Sequence, residues 1–491
     1  MELCISCHTV EGGAITSNQG AIAAVTKANP LGSEKVGKLI LKFSIPAVVS
    51  LVVNALYNIL DQIFIGQAVG ILGIAATNVA FPLSTICVSV NVLLGIGSAS
   101  NFNLKQGAGD KEDASYIAGH SMSLAVILGL GLTAIAQIFL TPMLTMFGAT
   151  ETVMPLAQTY TRITSLGIPF LVITMVCMHM IRADGNPTYS MFVILSGAVF
   201  KVIFTPIFLF VFGLGMAGVA WTTTLGQILS GTIGLVYMVK RFKSVPLKRE
   251  HLRLQAKYVK MIFSLGIAAF FNQIAMTLVQ ITMNNTLRIY GAESAYGSDI
   301  PLACVGAITK VIILYMAFTV GVSQGCQPIL GFNYGAKNYQ RVKDTLKLAV
   351  IAASVISVIF FCLFQFIPQH IMGLFGSGDP LYLELGAAFL RTYTFMTFIN
   401  GIQPVCANFL TSIGKAKLGI LVSMTRQIIF LLPLILILPM FFGVTGVMFA
   451  GPIADSAAFI VSITLVISQL RLMTKLQKQA SPLLEGMPAV P

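Results

Sequence analysis

Apolar runs and polar breaks alternate along the 491-residue chain, and twelve of the runs are long enough to cross the hydrocarbon layer as helices. The first six are Leu39 to Ile65, Ile74 to Ser100, Ile117 to Thr141, Leu156 to Ile181, Tyr189 to Phe212 and Met216 to Val239. The second six are Val259 to Tyr290, Pro301 to Leu330, Thr345 to Ile371, Leu383 to Ile413, Leu418 to Phe441 and Thr445 to Leu470. Helix is the expected form of each, because in lipid a lone segment satisfies its backbone only internally. The pattern predicts an all-α polytopic membrane protein built from two six-helix bundles. It divides the chain into a disordered cytoplasmic tail (1–34), a first lobe (35–239), a basic cytoplasmic linker (240–258), a second lobe (259–470) and a cytoplasmic C-terminal tail (471–491).

The halves echo each other at a nearly constant offset, which marks an internal repeat. Gln106-Gly107-Ala108 follows the second run as Tyr334-Gly335-Ala336 follows the eighth, and Gly215 to Val219 opens the sixth as Gly443 to Val447 opens the twelfth. Arg162 and Arg391 sit alike in the fourth and tenth. Repeats in one orientation imply a pseudo-twofold axis along the membrane normal with a cleft between lobes, where alternating access would act.

Composition agrees with the spans: 56% of residues are hydrophobic and 10% charged, too apolar for a soluble protein. The net charge of +13 is read through its placement rather than as a nucleic-acid surface. Lys240 to Lys260 alone holds eight Lys or Arg against one acid, Glu250. With the N-terminus inside, 24 of the 30 basic residues fall in cytoplasmic tails, loops and helix ends. The other six, Arg162, Lys201, Arg288, Lys310, Arg391 and Arg426, lie within or at the ends of spans, so the positive-inside rule holds with both termini cytoplasmic. No cleavable leader is read in the first 29 residues, and the first span is expected to be an uncleaved anchor.

Cys87, Cys177, Cys304 and Cys362 read as small apolar residues, with no disulfide framework. Cys4-Ile5-Ser6-Cys7-His8 has the form of a haem-attachment motif but is better read as part of a tail. No phosphate loop, no H-E-x-x-H and no Gly-rich nucleotide turn is present, so no enzyme, no bound metal and no cofactor is expected, and transport must draw on an ion gradient. The partners expected are the bilayer and small-molecule substrates, with no nucleic acid and a monomeric chain.

Charge at membrane depth is costly and marks function by default. Of 17 acids only Asp61 and Asp455 lie well inside spans. Ser50, Asn54, Tyr57 and Asp61 share a face at 4-3-4 spacing, with Pro46 behind them as a ready hinge. Gln273, Thr277, Gln280 and Asn284 repeat the spacing on the seventh helix without an acid, as substrate-cleft residues or as helix-packing amides. Lys201 lies mid-span with Thr205 one turn on, and Asp61 is the carboxylate in its lobe that can pair with it, for coupling or for structure alone. Lys310 and Arg426 are the buried cations of the second lobe, Asp455 being the partner expected for Arg426.

Asn58-Ile59-Leu60-Asp61-Gln62-Ile63-Phe64-Ile65-Gly66, Gly321 to Pro328 running into Gly331 to Lys337, Arg426-Gln427 through Pro433, and Pro452-Ile453-Ala454-Asp455 resemble the multidrug and toxic compound extrusion family, in its bacterial multidrug-efflux branch. The likeness covers about Lys35 to Leu470. It implies a bacterial inner-membrane exporter of organic cations or amphipathic drugs, two bundles in a V that rock as Na⁺ or H⁺ enters. It also implies coupling through Asp61, an Asn and an Asp of an N-x-x-x-D-P motif on helix five, and a Thr of helix six, here Thr222 or Thr223. The helix-five motif departs: Lys201-Val202-Ile203-Phe204-Thr205-Pro206 stands there. A lysine beside Asp61 supplies the charge a sodium ion would bring, so proton antiport is favoured, with Asp61, Lys201, Thr205 and Thr223 as the coupling set. The rival reading is a flippase for a lipid-linked saccharide, which would need free cations in its cavity, or an exporter of a narrow metabolite.

Overall fold

The computed structural model describes residues 29–297, 299–375 and 380–485, nearly all of them helical, so the Cys4–His8 segment lies outside the described residues. The first half comprises α1 (Val36–Ala68), α2 (Ile71–Gly107), α3 (Lys111–Ile138), α4 (Met154–Ser165), α5 (Ile168–Ala183), α6 (Pro187–Pro206) and α7 (Gly215–Lys240). The second comprises α8 (Ala256–Ala292), α9 (Asp299–Gly335), α10 (Tyr339–Phe366), α11 (Pro380–Tyr393), α12 (Ile402–Ser412), α13 (Ala416–Met424) and α14 (Val444–Glu485). The chain is an all-α polytopic membrane protein.

Local chemistry sets the helix ends. Between α5 and α6, Gly185 takes φ +91°, Asn186 accepts from the Tyr189 N–H at 3.2 Å, and Pro187 occupies the first helical position. Asp110 and Asn338 cap α3 and α10 in the same way. Pro206 and Pro433 each adjoin a π-helical stretch, Ile207–Val211 after α6 and Thr425–Leu431 after α13, as expected where proline removes a ladder bond. Helix α1, by contrast, runs unbroken through Pro46.

Among the described residues nine helices are long and apolar enough to cross a membrane, or ten when one bent pair counts as a single span. Two of the twelve expected spans are broken. The fourth is two helices, α4 and α5, meeting at 50° where Gly167 and Pro169 interrupt the ladder. The tenth is broken into α11, a single turn at Thr397–Asn400 and α12. The sixth, α7, is one continuous 26-residue helix that matches the expected run from Met216 to Val239.

The expected tail and linker boundaries also shift. Leu31 is fully buried ahead of α1, and α14 runs on to Glu485 with Met473 buried. The basic linker is tied down: Asp184 accepts from the backbone N–H of Ser244 at 2.9 Å, and Gln255 N–H donates to His120 Nε2 at 2.8 Å.

The cores cross over between the halves. One is built from α2, α3, α5 and α7 but takes in Tyr258 and Ile262 from the start of α8. Another is built from α9, α10 and α12 but takes in Leu31, Leu39, Ile40 and Phe43 around the start of α1. Asp113 accepts from Lys257 Nζ at 2.9 Å and Tyr258 Oη at 2.7 Å; Arg341, 228 residues later, donates to the carbonyls of Leu31 at 3.0 Å and Glu34 at 2.7 Å. Each is the third residue after a capped helix start, and each grips the lead-in to the first helix of the opposite half.

The halves meet at this same end, which carries the linker. A Cβ on Gly97 would stand 2.1 Å from the Ile262 carbonyl oxygen, and one on Gly266 1.9 Å from that of Leu93, so α2 and α8 cross with backbones touching. Asn101 Nδ2 donates to the Met261 carbonyl at 2.7 Å, and Gln327 Nε2 to Ser100 Oγ at 2.9 Å.

Candidate functional site

Helices α1 and α6 pack together and bring two opposite charges into contact at membrane depth. Lys201 Nζ donates to Asp61 Oδ2 at 2.9 Å, with only 9% of Lys201 and 8% of Asp61 exposed. The stripe spacing on α1 puts Tyr57 one turn before Asp61, and the ammonium lies 5.3 Å from its ring centroid. The other carboxylate oxygen, Asp61 Oδ1, is buried with no hydrogen-bond partner.

Further hydroxyls on α4, α6 and α7 meet one another in the same half. Thr205 Oγ1 lies 3.0 Å from Thr222 Oγ1, and both Thr222 and Thr223 donate to the Val219 carbonyl at 2.9 Å. Thr205 therefore meets Thr222, while Thr223 turns to Tyr160, whose ring also lies within electrostatic reach of Asp61, Lys201 and Tyr57. Tyr160 carries no signal in the sequence: it is one aromatic residue among the threonines of α4.

The second half holds a buried pair of different build. Arg426 Nε donates to Asp455 Oδ1, and Asn400 Nδ2 donates to Asp455 Oδ2 at 2.8 Å. Asp455 is 5% exposed. Arg426 sits in the π-helical stretch after α13 and Asn400 in the break between α11 and α12, so both irregularities converge on one carboxylate. Lys310 corrects an expectation: it is exposed on α9, with Nζ 6.0 Å from the Phe375 ring centroid. Its face of α9, with Ala303, Gly306 and Ile313, is uncovered, and a long stem lets the ammonium reach out from there.

The two stripes are only partly covered: Ser50 and Asp61 are buried, Asn54, Tyr57, Gln273, Thr277 and Gln280 are half-buried, and Asn284 is exposed. On α1 the Asn54 carbonyl accepts from Asn58 at 2.6 Å. On α8 Thr277 donates to the Gln273 carbonyl at 3.2 Å, and Gln280 Nε2 to Asn284 Oδ1 at 3.0 Å, both along the same helix. Their side-chain chemistry is thus turned inward on each helix rather than across to the other. Pro46 is buried near the start of α1, its carbonyl accepting from Ser50 Oγ at 2.8 Å. Among the described residues no group of three or more His, Cys, Asp or Glu is placed to hold a metal.

Known proteins share this fold. The sequence matches the MatE family over residues 46–207 and 268–437. It is 25% identical over 449 residues to a protein named multidrug export protein MepA from Staphylococcus aureus (strain MRSA252), covering 91% of this chain and 97% of that one. The same identity holds over 433 residues for MepA of Staphylococcus haemolyticus (strain JCSC1435), at 88% and 93% coverage. Among solved structures, a MATE transporter in complex with MaL6 superposes with a TM-score of 0.85 at 21% identity, over 91% of this chain and 99% of that one. An outward-facing multidrug resistance MATE family transporter of the MOP superfamily gives 0.84 at 21%, over 90% and 98%. With a family match across both halves and the fold of its solved members, this chain belongs to the MatE family, the multidrug and toxic compound extrusion transporters, and is a multi-pass membrane transporter rather than an enzyme.

Proposed function

We propose that this transporter exports organic cations or other amphipathic drugs from a bacterial cell by proton antiport, as a monomer in the inner membrane with both termini and the linker cytoplasmic. The observation that carries the coupling ion is the contact between Lys201 and Asp61. A sodium ion bound to Asp61 would stand about 4 Å from the ammonium, a repulsion of about 4 kcal/mol at an effective dielectric of about 20. A proton needs no such space. Oδ1 is buried and unpartnered, and a proton delivered there would remove the negative charge and release the ammonium. Thr205, Thr222, Thr223 and Tyr160 supply the hydroxyls that receive the freed ammonium.

Substrate contact falls to the partly covered stripes, with Asn54 and Tyr57 on one side and Gln273, Thr277, Gln280 and Asn284 on the other. The flippase alternative needs unneutralised cations in the cleft to hold pyrophosphate; the two cations buried at membrane depth, Lys201 and Arg426, are each engaged by a carboxylate, which favours the exporter, while Lys310 on its exposed face of α9 makes no ion pair among the described residues. Vesicles loaded with a fluorescent cationic dye and exposed separately to a proton and a sodium gradient test the coupling. Dye movement under the proton gradient, lost in Asp61→Asn, is expected. Movement under sodium alone, also lost in Asp61→Asn, would overturn it.

A further inference from the structure

A third buried charge has no carboxylate. Arg182, at the end of α5, is 3% exposed, and Nη1 donates at 3.0 Å to Gln324 Oε1 of α9, across the junction of the halves. Among the described residues it makes no ion pair. Asp184, two residues on, is taken by the Tyr237 hydroxyl at 2.7 Å and the Ser244 N–H at 2.9 Å. A guanidinium held in protein without an anion is expensive and is retained for a use.

Its surroundings are polar in an unusual way. One turn earlier on α5, His179 packs its ring on Gly95 of α2, and its Nδ1 is buried without a partner. Asn91 and Ser98 flank Gly95 at 4-3 spacing on that face of α2, and the side-chain polar atoms of both are buried and unpartnered. The same holds for both polar atoms of Asn103 further along. Buried groups of this kind draw ordered water. The junction that closes the linker end thus holds several buried polar groups without protein partners, and the fixed positive charge stands among them.

We propose that Arg182 is the cation barrier of this closed junction: its unneutralised charge stops protons and sodium ions from slipping through the hydrated groups of α2 and α5 while the far end is open. An uncoupled leak there would dissipate the gradient that drives export. A fixed cation in a narrow wet passage excludes other cations by direct repulsion. The inference rests on the exporter reading only for its use to the cell; the leak itself is measured without substrate, so failure of one does not imitate failure of the other.

The test uses the full chain reconstituted in liposomes under a potassium diffusion potential, with a trapped pH dye reporting proton entry and no drug present. Arg182→Gln is expected to leak roughly tenfold faster than the unaltered protein, while Arg182→Lys, which keeps the charge, stays near its rate. Gln324→Glu leaves the guanidinium in place but gives it a carboxylate, and is expected to leak like Arg182→Gln. A folded Arg182→Gln protein no leakier than the unaltered one overturns the proposal, as does an Arg182→Lys protein as leaky as Arg182→Gln. Should Arg182→Gln fail to fold, an unchanged leak in Gln324→Glu overturns it instead.

Discussion

A charge standing alone in an apolar run is conspicuous, and for that reason Asp61, Lys201, Arg426 and Asp455 were legible in the sequence while most of their surroundings were not. Tyr160 and Asn400 are ordinary residues for helices of this kind, and only tertiary packing brings them near a carboxylate; Thr222 entered only as one of two threonines that the family resemblance offered. Arg182 was legible only as one more positive charge at the linker end, since its burial depends on α5 meeting α9 from the other half. For the Asp61 pair, removing one partner strands a charge, whereas removing both does not. Lys201→Met alone is expected to lower stability by about 3 kcal/mol or more, and Asp61→Asn with Lys201→Met by much less. Chemical denaturation of the detergent-solubilised protein, or the shift of its thermal midpoint, checks this. A double variant as unstable as the single would mean that the side chains matter for packing and not for charge.

The helices themselves were largely readable from hydropathy, because each long run between polar breaks has one way to satisfy its backbone in lipid. The exceptions have separate causes. Gly167 and Pro169 announce the break between α4 and α5, a signal that the apolar pattern overrides when hydropathy alone is followed. The break between α11 and α12 has a tertiary origin: Tyr315 Oη donates to the Thr397 carbonyl at 3.2 Å and Asn400 reaches for Asp455. Close crossings were not readable, since a glycine in an apolar run does not say what it touches. Gly266→Ala, which sets a Cβ 1.9 Å from the Leu93 carbonyl oxygen, is expected to cost about 1–3 kcal/mol or to hold the halves apart. Gly131→Ala on α3, with nothing within 4 Å, serves as the comparison and should be neutral or slightly stabilising. Equal behaviour of the two in thermal unfolding and in export would show that the α2 and α8 crossing tolerates expansion.

At the scale of the molecule, the repeat visible in the sequence has a counterpart in how the halves hold one another, with Asp113 and Arg341 in equivalent places but of opposite charge. Alternating access requires the junction between α2 and α9 to part. A disulfide across it should therefore arrest transport. The Cβ of Asn103 lies 2.9 Å from where a Cβ on Gly331 would stand, close enough for Asn103→Cys with Gly331→Cys to oxidise after a small adjustment. Export is expected to stop on oxidation and return with reductant, measured in a background from which the buried native thiol Cys326 has been removed. Uninterrupted export in the cross-linked protein would place the moving surface elsewhere.

Helix α1 is rooted among side chains of the second half and bears Asp61 near its other end, which makes it a lever arm shared by both bodies. Asp61 lies 25 residues beyond Val36, a radius of roughly 37 Å at about 1.5 Å per residue. At that radius a swing of about 1.5° carries the carboxylate about 1 Å, and one of about 10° carries it about 6 Å. The angular tolerance of the contact with Lys201 is therefore only a few degrees. Any larger rotation of one body against the other must part the two charges unless the arm flexes, and Pro46 lies where such flexing would have to begin.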